Sequence, residues 1–435
     1  MGTKLNPRFE QQTLFSGHRR GQWMCQYRAP NLLVSRAGTV FAFPHASLDG
    51  IADHAKGELV YRRSFDHGQT WTDTTQLRSD ENPRIGFGFN SGVADLETGG
   101  VLVFFSVNVV IQPKDIGGQW VEQWVNEHPQ EAADLRKRLA PNVDHGLYLI
   151  STDDEGETWS EPQPMHDTLH IVHPMTGEKR RFGPQWTGTQ LRYGAHKGRL
   201  ILPGRGMTRA EPFDLSAYSH NYVVYSDDHG RTWQPGGLAQ NGTGEACLVE
   251  EIDGTVYLNS RNESLRGRGY RAWDRSHDGG STFVESGYDL QLPEPHCQAS
   301  MVRFSGPEEG GSRVLFCNPA VWSGVPSHYD IEGRRNLTVY LSYDECRTWP
   351  VARTVCAGGA GYSAIAVANN GDILCLYETI GPVGDRLHYT GELVLARFNL
   401  EWLRAEEARG QPFKAPFHPQ LDPKYQSDRS EREQR

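Results

Sequence analysis

The chain has 435 residues, 54 of them acidic and 44 basic, for a formal net charge of −10. A balance this acidic excludes a general nucleic-acid-binding face, which needs basic residues, but leaves room for a local basic pocket. The length exceeds one ordinary core and calls for two or three domains or a single repeat architecture. Seven cysteines without any Cys-x-x-Cys pair give neither a disulfide framework nor a structural zinc site. The opening MGTKLNPRFEQQ has no apolar run, and no stretch of about 18 apolar residues occurs anywhere. If Met1 is the natural start, a cytoplasmic protein without a membrane partner is the expectation; a secreted one whose leader has been removed would read the same.

Along the chain, one eight-residue pattern returns five times. It reads SFDHGQTW (64–71), TDDEGETW (152–159), SDDHGRTW (226–233), SHDGGSTF (276–283) and SYDECRTW (342–349). Apolar, β-branched segments such as ELVYRR, GLYLIS, NYVVY and NLTVYLS precede the copies and read as strands. Each copy therefore marks a strand end running into a turn. Asp and Ser side chains bond the backbone of such turns, glycine accepts positive φ, and the aromatic residue can plug the space between strands. In the fifth copy Cys346 replaces the glycine, and a left-handed conformation there costs about 1–2 kcal/mol.

The repeated aspartates stand at 66, 154, 228, 278 and 344, between 50 and 88 residues apart. A regular turn at irregular spacing indicates one supersecondary unit with variable insertions, as in an all-β propeller. Roughly 380 residues at about 50–65 per unit predict six blades. The widest gap contains GGQWVEQWVNEHPQEAADLRKRLAP (117–141), whose apolar spacing predicts an inserted helix. The predicted layout is an N-terminal extension (1–20), a propeller (21–403) and a polar C-terminal tail (404–435). The segment 391–403 is expected to close the ring as a late strand.

The repeat resembles the Asp-box of sialidases, a folding device whose aspartates are not catalytic. The resemblance runs from about residue 22 to 403, and its motifs supply the candidate site. QYRAP (26–30) resembles the Tyr-Arg-Ile-Pro motif, which implies that Arg28 is the first of three arginines holding a substrate carboxylate. In ASLDGIADHAKGELVYRR (46–63), Asp53 precedes Arg62 by nine residues, which implies the acid/base; Asp49 is the alternative. GEACLVEEIDGTVYLNSR (244–261) is similar to the segment that supplies a general base, Glu245, and the second arginine, Arg261. Arg271 lies nearby without an assigned role. In GRRNLTVYLSYD (333–344), Arg334 matches the third arginine, with Arg335 as the alternative. GYSAIAV (361–367) resembles the Tyr-Ser motif of the nucleophile, here Tyr362, and CLYE (375–378) the segment whose Glu378 braces the first arginine.

These residue types suit a 2-keto sugar acid. Guanidinium groups pair with its carboxylate. A carboxylate nucleophile, usual in retaining glycosidases, would meet that same negative charge. A neutral tyrosine avoids the repulsion but needs a base, because a free phenol has a pKa near 10. The resemblance thus implies an exo-α-sialidase acting with net retention, with a sialylated glycan or a related 2-keto sugar acid glycoside as its partner and no cofactor. Two departures bear on the sugar. Only Arg36 lies between Arg28 and Asp53, too early for the family's further arginine, and FNSGVAD (89–95) replaces an Asn-Pro-x-Pro segment. A deaminated or eight-carbon sugar acid is the alternative substrate, and a non-catalytic glycan-binding propeller the alternative function. His166, His170 and His173 read as loop histidines, and no metal site is expected.

Overall fold

A computed structural model of the chain describes all residues except 1–5, 21–22, 49–55, 167, 173–178, 182, 208–218, 264–268, 322–332, 384–385 and 406–435. The architecture is all-β and propeller-like, built from antiparallel meanders. The first carries Trp23–Val34, Val40–Ser47, Gly57–Ser64 and Thr75–Arg78, with His18–Arg20 on its inner edge. The second carries Ile85–Ala94, Val101–Val109, Gly146–Thr152 and Gln163–Pro164, with Trp186–Thr187 lying parallel to the first of these. The third is built on Leu200–Met207, Ser219–Ser226 and Gln234–Asn241, and the fourth on Thr243–Glu250, Val256–Asn262, Gly269–Ser276 and Glu285–Glu294.

Besides a two-stranded ribbon of His170–Val172 and Lys179–Arg181, seven further strands form a single sheet, so among the described residues four separate blade-like sheets are present where six were expected. The cause is the 17-residue strand Val351–Val367. Its first half pairs with Arg335–Ser342 and its second half with Ile373–Val383, changing partner at Gly359. No break in the backbone separates the two arrays, so their hydrogen bonds merge. Arg386–Phe398 is the late strand, and Phe9–Phe15, within the segment read as an extension, pairs with it antiparallel.

The repeated boxes act as local locks and as glue between sheets. In the third copy, Asp228 accepts hydrogen bonds from Thr232 N at 2.8 Å, Thr232 Oγ1 at 2.7 Å and Ser226 Oγ at 2.8 Å. Ser226 Oγ in turn accepts from Gly230 N at 2.8 Å. A methyl group on Gly230 would lie 2.1 Å from Leu102 of the preceding sheet, so the bare glycine lets the sheets close up. Trp233 is buried edge-on against Phe104 of that sheet, with ring centroids 5.0 Å apart. The same contact recurs at Gly156 on Phe41, Gly280 on Ile201, and Gly68 on Leu374 of the last sheet, which closes the circle. Cys346 holds the left-handed conformation at φ 62° and buries its side chain.

The insertion at 117–141 contains two helices, Val121–Glu127 and Pro129–Leu139, rather than the single one expected. His128 breaks the run because the proline after it disfavours the helical region there and takes the first position of the next helix. His166 lies 3.4 Å from Asp144, His170 lies in the short strand His170–Val172, and His173 is outside the described residues. No helix among the described residues is long and apolar enough to cross a membrane.

Candidate active site

The inner strands surround a central cavity of about 680 Å³. Its lining includes Leu32–Ser35, Ala94, Thr187–Gln190, Leu248–Glu250, Met301–Ser305 and Ile365–Asn369. Arg28, Glu245 and Tyr362 stand toward the other ends of the strands that carry three of these segments. At that level the strand register slips between Arg28 and Asn31, Thr243 and Ala246, and Ala360 and Ser363. It slips again between Phe89 and Ser91. Irregularities of this kind locally increase twist and re-aim side chains. Regular alternation would hold these side chains to a fixed face, whereas four inner strands break it at one level, where the candidate residues gather.

Tyr362 Oη donates to Glu245 Oε1 at 2.6 Å. Arg261 Nη1 donates to Glu245 Oε2 at 2.7 Å and reaches Tyr362 Oη at 3.2 Å. Burial works against the Glu245 charge, but Arg261, Arg205 and the Tyr362 hydroxyl outweigh it and hold the carboxyl below its ordinary range. Enclosure and the adjacent Glu245 charge push the Tyr362 phenol well above its ordinary value, against the pull of Arg261 and Arg334. The resting pair is therefore a neutral phenol hydrogen-bonded to an ionised carboxylate.

The other candidate residues converge on the same tyrosine. The Arg334 guanidinium lies 5.3 Å from the Tyr362 ring centroid, and its Nη2 donates to the His296 carbonyl at 2.7 Å. Arg335, by contrast, is exposed at the start of its strand. Glu378 is 1 % exposed and accepts from Arg28 Nε at 3.3 Å, Ala29 N at 2.9 Å and Tyr362 N at 2.9 Å. It thus ties the first arginine to the backbone of the tyrosine. Asp53 and Asp49 both lie outside the described residues. Arg271 is fully buried, paired with Glu294 and bonded to Asn259 Oδ1 at 2.8 Å, and so belongs to the framework.

Several neighbours were not identified from sequence. Tyr389 lies between two of the arginines, with the Arg28 guanidinium 3.9 Å from its ring centroid and a hydrogen bond from Arg334. Trp186, at φ 67°, sets its ring edge-on to Tyr362 with centroids 5.4 Å apart. Glu263 sits 3.2 Å from Arg261 Nε, 2.7 Å from His296 Nε2 and 3.4 Å from Arg205 Nη2. His296 Nε2 is also 2.8 Å from Arg261 Nη2. Arg261 is thereby gripped by two carboxylates and an imidazole. Strand period does supply one signal, because Glu263 follows Arg261 by two residues and falls on the same face. Tyr389 and Trp186 carry no motif.

The arrangement offers a carboxylate-sized cationic surface beside a phenol whose proton has an acceptor in place. The BNR repeat-like domain family matches residues 118–375. A sialidase of Micromonospora viridifaciens is 32% identical over 404 residues, covering 91% of this chain and 55% of that protein, so the chain spans little more than half of this relative. A sialidase of Paraclostridium sordellii is 28% identical, covering 83% of each. Among solved structures, the intramolecular trans-sialidase of Ruminococcus gnavus in complex with oseltamivir carboxylate superposes with a TM-score of 0.67 at 21% identity, over 87% of this chain and 96% of that one. A match across well over half its length places this chain in the BNR repeat-like family, and the relatives it resembles over most of its sequence are sialidases.

Proposed function

We propose that the protein is an exo-acting glycoside hydrolase that releases a terminal sialic acid with net retention through Tyr362. The observation that carries this reading is the 2.6 Å hydrogen bond from Tyr362 to Glu245, with Arg261 bridging both. Arg28, Arg261 and Arg334 take the sugar carboxylate through charge-assisted hydrogen bonds. Tyr362 Oη attacks the anomeric carbon while Glu245 accepts the phenolic proton. Asp53 protonates the departing oxygen, then takes a proton from the water that cleaves the tyrosyl intermediate. Two displacements restore the starting configuration.

The fold in this reading is one six-bladed propeller spanning 21–403, with the N-terminal segment adding its outer strand to the last blade. Splitting the seven-stranded sheet at Gly359 gives two four-stranded blades, and six inner segments line the central cavity.

Release of fluorophore from an aryl α-sialoside between pH 4 and 8 tests the proposal, with Tyr362→Phe as the control. Turnover of the N-acetyl sugar that the variant loses supports it. Turnover confined to deaminated or eight-carbon analogues keeps the mechanism and moves the substrate. Binding without turnover of any of them overturns the hydrolase reading.

A further inference from the structure

The helical insertion leaves the second sheet at Val109 and returns at Gly146. These strand ends lie on the face that carries Tyr362, because the opposite end of Val101–Val109 pairs with Ala94 beside the central cavity. The insertion is fastened firmly. Ile111, Ile116, Ala132 and Leu135 form its own small core, and Arg84 grips Asp115 with both terminal nitrogens at 2.5 and 2.9 Å.

Between the insertion and the sheet is a separate cavity of about 80 Å³. Phe87, Val110, Val121 and Val125 supply apolar wall, and His45, Asn108 and Arg136 supply polar groups. His45 pairs with Arg28 across the first sheet, so the cavity begins one strand from the candidate carboxylate site.

Arg136 differs from its neighbour Arg84. It is held in the cavity wall by the second helix, and burial draws its pKa below the ordinary value. Its side chain forms no hydrogen bond or ion pair with any described residue. The side chain is half-buried in the cavity wall, and an anion entering the cavity would gain a charge-assisted hydrogen bond from its guanidinium. Arg84 is neutralised internally by Asp115, whereas the Arg136 guanidinium is left open to a ligand.

We propose that Arg136 anchors an oxyanion on the leaving-group side of the substrate: a carboxylate, sulfate or phosphate on the group to which the sugar acid is joined. The cavity is too small for a sugar ring and suits one such substituent. Its position next to Arg28, on the reacting face, makes it a specificity site for the proposed reaction rather than part of the chemistry. This inference rests on the hydrolase reading.

Two aryl glycosides of the same sugar acid test it, one bearing a carboxylate on the leaving group and the other the matching carboxamide. The wild-type protein should show a KM about tenfold lower for the charged leaving group, the scale of one charge-assisted hydrogen bond. Arg136→Gln should abolish that preference while leaving kcat and KM for the neutral compound unchanged. Equal KM values in the wild type, or a preference that survives in Arg136→Gln, would overturn the proposal. Calorimetric titration with inorganic sulfate provides a readout independent of turnover. Sulfate binding weakened about tenfold in Arg136→Gln supports the site, whereas binding that is absent or unchanged contradicts it. If neither glycoside turns over, the hydrolase reading fails and the sulfate titration still decides the site.

Discussion

The two ends of the same strands are built on opposite principles. At the box end, the hydrogen bonds that hold each turn are local: Asp228 binds residues two and four positions away, and the arrangement recurs at Asp66, Asp154, Asp278 and Asp344. At the reacting end, contacts span the chain. Tyr362 reaches Glu245 across 117 positions, and Arg28 reaches Glu378 across 350. Local satisfaction makes the boxes a dependable folding unit with little left to offer a ligand. Asp154 illustrates this, since the Thr158 hydroxyl and backbone N–H hold its carboxyl at about 2, unsuited to proton exchange near neutral pH. At the far end, three arginines from distant strands gather around Tyr362 and Tyr389, which is what binding a substrate carboxylate demands.

Breaking the reacting end should affect rate and spare stability. Tyr362→Phe removes the oxygen proposed to attack and the donor to Glu245, while Arg261 still pairs with that carboxylate. A fall in kcat of about 10³-fold or more is expected, with an unchanged melting temperature. Steady-state kinetics beside calorimetry checks both halves.

Between the ends, Asp274 is buried and accepts from Gln240 N of the neighbouring sheet at 2.9 Å. Burial raises its pKa to about 6. A raised folded-state pKa means that its contribution is full below the unfolded value near 3.9 and is lost as pH climbs through 6. Asp274→Asn should therefore remove this loss, stabilising the fold above pH 6 by about 2–3 kcal/mol relative to wild type and closing the gap near pH 4. Urea denaturation at pH 4, 6 and 8 measures it.

Breaking the box end should do the reverse of the tyrosine change. Asp228→Ala deletes the acceptor of three hydrogen bonds and is expected to cost about 2 kcal/mol of stability, with kcat per folded molecule retained. Denaturant midpoints and active-site titration separate the two. The smallest effect concerns the support behind Arg261. Glu263→Gln weakens the grip on that guanidinium and should raise KM about tenfold, with a smaller change in kcat. A purely structural role would lower stability and leave KM alone.

This contrast also explains what could be read from the chain. The box turns were legible because their partners lie within a few residues. The candidate site was legible only where a short motif carries a candidate residue, as at Arg28, Glu245, Arg261, Arg334, Tyr362 and Glu378. Tyr389, His296 and Arg205 join the site through contacts between distant strands, and no local pattern marks them. The seven-stranded sheet was hidden for a related reason, since a strand that changes partner at Gly359 has the same alternation as one that does not.

The central claim is that Tyr362, assisted by Glu245, forms the covalent bond to the sugar. A 3-fluoro glycosyl fluoride of the sugar acid slows both displacements but keeps a good leaving group, so the glycosyl-enzyme should accumulate. Peptide mapping by mass spectrometry of the quenched protein is predicted to place the sugar on Tyr362. An adduct on a carboxylate, or no adduct in protein that is turning over substrate, would contradict the account.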